Sequence, residues 1–175
     1  MQSVPRTFRF SSDLVDKLEE EARRQRRSVN GLVCKVLEKY LNVEVFLERF
    51  GYLIFPQSIF AKLLEKVDVE LLEEIGREIG GETARELILQ IWGELTPRNF
   101  CRYLEEVMCG CARWANCYID RIDSGLKIRL GHGYGGKWSK LLKIMVEETA
   151  KQIPGMKIKF DYVSEYSVVF TLTAE

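Results

Sequence analysis

The sequence predicts an α+β protein in two parts: a short strand with two helices, then a helical segment leading into a ββαββ domain with an antiparallel sheet. Three observations predict it. Residues 5–10 alternate polar and apolar side chains, residues 14–41 carry apolar side chains at helical spacing, and beyond residue 115 the apolar period becomes two, interrupted by one helical stretch.

In Pro5-Arg6-Thr7-Phe8-Arg9-Phe10 the alternation puts Phe8 and Phe10 on one face of a strand and Thr7 and Arg9 on the other. Ser11 and Ser12 offer N-cap hydroxyls and Asp13 an acid in the first turn of a helix with Leu14, Leu18 and Ala22 at intervals of four. The run Arg23-Arg24-Gln25-Arg26-Arg27 closes it and makes the turn. Ser28 then caps a second helix, whose Val29, Leu32, Val33, Val36, Leu37, Tyr40 and Leu41 form an apolar stripe.

So small a unit cannot bury these groups alone, and a solitary strand is an unpaired edge. Two-fold dimerisation is the natural solution. Strands from two chains pair antiparallel, with Phe8 and Phe10 turned into a shared helical core and Thr7 and Arg9 lining the outer face of a two-stranded ribbon. Such a ribbon fits the major groove, where Arg makes bidentate contacts to guanine and Thr contacts several base edges.

The stretch from Arg6 to Leu18, Ala22, and then Arg27-Ser28-Val29-Asn30-Gly31-Leu32-Val33 resembles ribbon-helix-helix repressors of the Arc, MetJ and CopG type. The resemblance implies that Thr7 and Arg9 read bases. It also implies that Ser28, Val29 and Asn30, at the start of the second helix, hold a backbone phosphate through amides and the helix dipole. The chain departs from the family at the interhelical turn, where glycine is frequent and Arg26 stands here; Arg26 and Arg27 are phosphate-contact candidates. The opposing reading makes residues 1–43 a dimerisation arm with a solvated basic face.

Composition agrees with either reading. The chain has 175 residues and no net charge, yet residues 1–42 hold nine Lys/Arg against six Asp/Glu, and the rest is correspondingly acidic. No apolar run approaches a bilayer span and no signal peptide opens the sequence, so a soluble, cytoplasmic protein without a membrane partner is expected. Five cysteines, odd in number and scattered, fit reduced thiols.

Residues 44–175 form the second domain. No Pro- or Ser-rich linker follows Asn42, so the second helix continues or bends into it. Tyr52-Leu53-Ile54-Phe55 before Pro56 reads as a short extended piece. Helices are expected at about 57–67, 69–80 and 83–94, and Thr96-Pro97 starts a fourth with Phe100, Leu104, Val107, Met108 and Cys111 inward. Strands at 115–123 and 126–132 flank a Ser124-Gly125 turn. A helix over 137–153 buries Trp138, Leu141, Leu142, Met145 and Thr149. Strands with Ile158, Phe160 and Tyr162, then Val168, Phe170 and Leu172, on one face complete the order. This order, with Glu78-Ile79-Gly80-Gly81 and the Gly76-x-x-x-Gly80 spacing, resembles vinyl-reductase-type sensor domains and their haem-NO-binding and vesicle-tethering relatives over residues 50–175. That resemblance implies dimerisation or a small-molecule effector, and no ligand motif accompanies it.

Three constellations bear on chemistry. Gly131-His132-Gly133-Tyr134-Gly135-Gly136-Lys137-Trp138-Ser139 is a near miss for a phosphate-binding loop, with Trp138 where a metal-binding hydroxyl belongs. His132, Gly133, Gly135, Gly136 and Lys137 are candidates for an anion or ligand contact; flexible turn chemistry with aromatic plugs is the plainer alternative. Cys101, Cys109, Cys111 and Cys117 lack the C-x-x-C spacing of zinc knuckles. A helix break at Gly110 would let Cys109, Cys111 and Cys117 meet a metal with His132, and small apolar cysteines in a core are the alternative. No acid/base pair stands out, so no cofactor and no enzymatic activity are expected. The function expected is a homodimeric, sequence-specific regulator on double-stranded DNA, with pairing of dimers into tetramers left open. The alternatives are an antitoxin, or a ligand-binding scaffold whose head only dimerises.

Overall fold

The computed structural model describes residues 4–52 and 56–174. The chain divides into two compact units, Met1–Asn42 and Val43–Glu175, and among the described residues no helix is long and apolar enough to cross a membrane.

In the first unit, residues 4–11 lie outside regular secondary structure. A strand exists only by exchanging hydrogen bonds with a neighbour, so the alternation of Phe8 and Phe10 has no ladder to join within one chain. Helix α1, Ser12–Arg24, starts after Ser11, whose hydroxyl does not cap it. Ala22 is its one fully buried side chain. Helix α2, Val29–Lys39, starts as expected at Ser28, whose hydroxyl accepts from the Gly31 amide at 3.1 Å. Of its apolar stripe, Leu32 is buried, whereas Val36, Leu37, Tyr40 and Leu41 stand exposed.

The boundary between the units falls within a π-helical turn, Tyr40–Glu44. The second unit continues with α3, Val45–Arg49, and α4, Gln57–Lys66; Leu53, Ile54 and Phe55 of the expected extended piece lie outside the described residues. Helix α5, Val69–Glu78, begins at Asp68, which accepts from the Leu71 amide at 2.8 Å. The break expected between the helices at about 69–80 and 83–94 is instead a π-helical turn, Ile79–Thr83, leading directly into α6, Ala84–Trp92. The glycine serves packing: a Cβ on Gly80 would run into the Met145 backbone. Helix α7, Pro97–Arg102, opens on Thr96, whose hydroxyl accepts from the Asn99 amide with proline in the first turn. It passes into a long π-helical stretch, Tyr103–Cys111.

Four strands follow: β1 Asn116–Ile122, β2 Gly125–Gly131, β3 Met156–Val163 and β4 Ser167–Ala174, with α8, Gly136–Lys151, between β2 and β3. The unit is therefore α+β with the expected ββαββ order, and its sheet is antiparallel throughout in the order β1-β2-β4-β3. Two details differ from the sequence reading. The β1–β2 turn is Asp123-Ser124, with Ile122 opposite Gly125, which already belongs to β2. Glycine is needed there because a Cβ would collide with the Leu172 carbonyl of β4. Strict alternation puts Tyr162 beside Phe160 on the buried face, but the β3–β4 register shifts between Phe160 and Tyr162. The extra residue, Asp161, reverses the alternation and leaves Tyr162 exposed.

The core lies between helices and sheet. Helix α8 packs on α5 and the Ile79–Thr83 turn, and also meets β3 and β4. Its Trp138, Leu141, Leu142, Met145 and Thr149 are all buried, as their spacing predicts. Phe100, Tyr103, Leu104, Val107 and Met108 join Ile128, Leu130, Val168 and Phe170 in one buried cluster.

Candidate nucleic-acid interface

The turn between α1 and α2 has a defined hydrogen-bond plan. The Arg27 amide donates to the Ala22 carbonyl at 2.9 Å, and the Arg26 amide to the Arg23 carbonyl at 3.1 Å. This is the Schellman arrangement, which requires a left-handed residue at the position Arg26 occupies. Arg26 adopts φ +52°. Arginine in place of glycine thus makes this a strained position, stabilised on both sides by the two amide bonds.

Two residues after Arg26, Ser28 caps α2. The first amides of a helix have no partner within it. Ser28 satisfies the Gly31 amide, and the Leu32 amide donates to the Ser28 carbonyl at 2.9 Å. The Val29 and Asn30 amides remain for an outside acceptor, on the positive end of the helix dipole. A Cβ on Gly31 would press on the Ser28 hydroxyl at 3.1 Å, so glycine lets the cap close. Arg26, Arg27, Ser28 and Asn30 are exposed and Val29 is half-buried. These five candidates are contiguous, and together they present two guanidinium groups beside a helix N-terminus, a combination suited to phosphate.

The base-reading candidates Thr7 and Arg9 are exposed, as are Phe8 and Phe10 between and beside them. Phe8 and Phe10 stack with centroids 6.3 Å apart. Phe8 is 63% and Phe10 45% exposed, and Val36 of α2 and Leu41 of the turn after it are 55% and 61% exposed. The apolar face written into the sequence therefore stays largely unburied within one chain.

The glycine-rich segment of the second unit is built as a packed turn. The Lys137 ammonium donates to the Glu65 carbonyl at 2.9 Å and to the Val67 carbonyl, closing the C-terminal end of α4. That charge is turned onto carbonyls seventy and more residues away in sequence. His132 Nε2 lies 2.8 Å from Ser139 Oγ, and the Tyr134 amide donates to Nδ1 at 3.3 Å. An accepting Nδ1 fixes the proton on Nε2, which donates to Ser139. Burial lowers the His132 pKa. Tyr134 and Trp138 pack with Phe60, and Trp138 donates through Nε1 to the Trp114 carbonyl at 2.8 Å. Gly135 takes φ +85° just before α8, and an added Cβ at Gly133 would meet Gln57 at 2.9 Å, whereas one at Gly136 would meet open space.

The cysteine cluster follows a continuous π-helical stretch with no break at Gly110. Burial, the Glu105 carboxylate and Cys117 push the Cys101 thiol up to about 11. Hydrogen bonding with Cys109, then burial, raises the Cys117 thiol further. Thiols held protonated are poor nucleophiles and poor metal ligands. Among the described residues, no group of three or more His, Cys, Asp or Glu side chains, the set of Cys109, Cys111, Cys117 and His132 included, is placed to hold a metal.

Compared with known proteins, the chain matches no family model, no curated protein and no solved structure.

Proposed function

We propose that this protein is a homodimeric, sequence-specific DNA-binding transcriptional regulator of the cytoplasm, reading the major groove with a β-ribbon formed by residues 6–10 of two chains. The observation that carries the proposal is the exposed apolar set of the first unit, Phe8, Phe10, Leu14, Val36, Leu37, Tyr40 and Leu41. A unit of this size cannot leave such a set in water and remain folded. A second copy covers it and supplies the missing strand partner, and pairing the strands turns Thr7 and Arg9 outward together.

The Arg26–Asn30 corner supports the same reading, since it offers unpaired amides and guanidinium groups where a flanking phosphate would lie. Arg9 from both chains would hydrogen-bond base edges, guanine above all, and Thr7 would add a hydroxyl and a methyl. Specific affinity then depends on the spacing of two half-sites related by the dimer axis. No reaction is assigned to the chain. Its second unit adds ligand sensing or oligomer contacts.

The test is binding of the full-length dimer to labelled duplex DNA over a salt series. Affinity should fall steeply as salt rises, and Arg26→Ala with Arg27→Ala should flatten the slope by about one counterion for each phosphate left without its guanidinium. A dimer that retains no duplex at low salt would reduce the first unit to a dimerisation arm.

A further inference from the structure

In the second unit a cavity of about 430 Å³ lies between α7 with the π-helical stretch that follows it and the ends of β2, β3 and β4. Small-molecule sites commonly measure roughly 300–1,000 Å³. Leu126, Met156, Leu172 and the half-buried Cys101 supply its apolar lining, and the exposed Arg98 and Glu105 stand at its rim. The rim carries both signs of charge on one run of helix, seven residues apart in sequence. A third charged lining residue, Arg102, is already engaged: it bonds Glu106 at 2.8 Å and lies over the Trp92 ring at 4.7 Å. That leaves Arg98 to meet an anion and Glu105 to meet a cation. Glu105 is close enough to the lining for its charge to be felt at Cys101.

A plain hydrocarbon would use neither charge. A monocarboxylate would bring its own charge against Glu105, and an amine against Arg98. A molecule with both groups on one carbon and an apolar tail satisfies all three features. We propose that this cavity binds an apolar α-amino acid, with its carboxylate on Arg98, its ammonium on Glu105 and its side chain among Leu126, Met156 and Leu172. The ligand is held whether or not the first unit reads DNA; only an effect of the ligand on operator affinity rests on that reading.

The experiment is calorimetric titration of the full-length protein with L-leucine and L-phenylalanine, and with two analogues of leucine, 4-methylpentanoate and 3-methylbutylamine, that each lack one charged group. At least one amino acid should bind, with each leucine analogue at least about tenfold weaker than leucine, because a site built for a polar group rejects the molecule that lacks it. Arg98→Ala and Glu105→Gln, both surface changes, should each weaken amino-acid binding by about tenfold as well. Leu126→Trp should fill the cavity and remove binding. With the unaltered protein, the amino acid should also slow alkylation of Cys101 by N-ethylmaleimide, read on the Cys101 peptide by mass. Failure of both amino acids to bind at millimolar concentration would overturn the proposal. So would binding that Arg98→Ala and Glu105→Gln leave unchanged, or a monocarboxylate that binds as tightly as the amino acid.

Discussion

Arg26 holds a left-handed backbone position, φ +52°, which costs a residue with a Cβ on the order of 1 kcal/mol. Arg26→Gly should therefore raise the unfolding free energy by roughly 0.5–1 kcal/mol in denaturant titrations, while removing one guanidinium from the phosphate side and weakening DNA binding. Improved stability together with unchanged DNA affinity would remove Arg26 from the interface. His132 gives a pH prediction. Its folded pKa is lowered by burial, so the unfolded chain binds the extra proton first. The stabilisation is complete above the ordinary histidine value of about 6.5 and is lost as pH falls below it toward the folded value. Protonation at Nδ1 would set two donors against each other, ring N–H and Tyr134 N–H. Thermal unfolding between about pH 5 and 7 should show this loss, and His132→Gln should flatten the dependence. Tyr103 offers a third test. It is fully buried, and its hydroxyl finds no hydrogen-bond partner among the described residues. Burying that group unpaired is unfavourable, so Tyr103→Phe should leave the melting temperature unchanged or raise it; a clear drop would mean that the hydroxyl is satisfied after all.

At the scale of elements, the packing of α8 on α5 and on the Ile79–Thr83 turn depends on glycine. An added Cβ at Gly80 would meet the backbone of Met145, which cannot step aside, whereas at Gly76 it would meet the Ile144 side chain at 2.9 Å. Gly80→Ala should thus destabilise by about 1–3 kcal/mol despite alanine's better helix propensity, and Gly76→Ala by less. Equal effects in urea titrations would contradict this placing of the close approach. The same elements mark where the sequence is legible. Caps such as Ser28 and Thr96 act within three residues, so a local pattern reveals them, and the buried face of α8 follows from spacing alone. The π-helical turns are not legible, because an inserted residue alters the helical period without changing composition. The bulge at Asp161 is hidden for a similar reason: only pairing with β4 exposes the register shift. Lys137 resembles an anion ligand in the sequence because its acceptors, the Glu65 and Val67 carbonyls, are brought to it by the fold. In the candidate interface, the capping serine is readable from the sequence, whereas the left-handed place of Arg26 is implied only by the resemblance that puts glycine there. The rim of the cavity at Arg98 and Glu105 is not, since a surface guanidinium and carboxylate on a helix ordinarily signal only a solvated face.

For the whole molecule, DNA reading by a ribbon requires a dimer through the first unit. Leu37→Glu, placed on the exposed part of the α2 stripe where Leu37 is 45% exposed, should shift sedimentation from dimer toward monomer and lose DNA binding, while the second unit keeps its strand signal in circular dichroism. A Leu37→Glu protein that remains a dimer would move the interface elsewhere. Base readout by Thr7 and Arg9 is tested by selection from a random-sequence duplex pool, with full-length protein run beside Arg9→Ala. The unaltered protein should enrich an inverted repeat that Arg9→Ala fails to enrich while still retaining DNA weakly at low salt. Enrichment of the same repeat by both proteins, or of none by either, would contradict base readout by the ribbon.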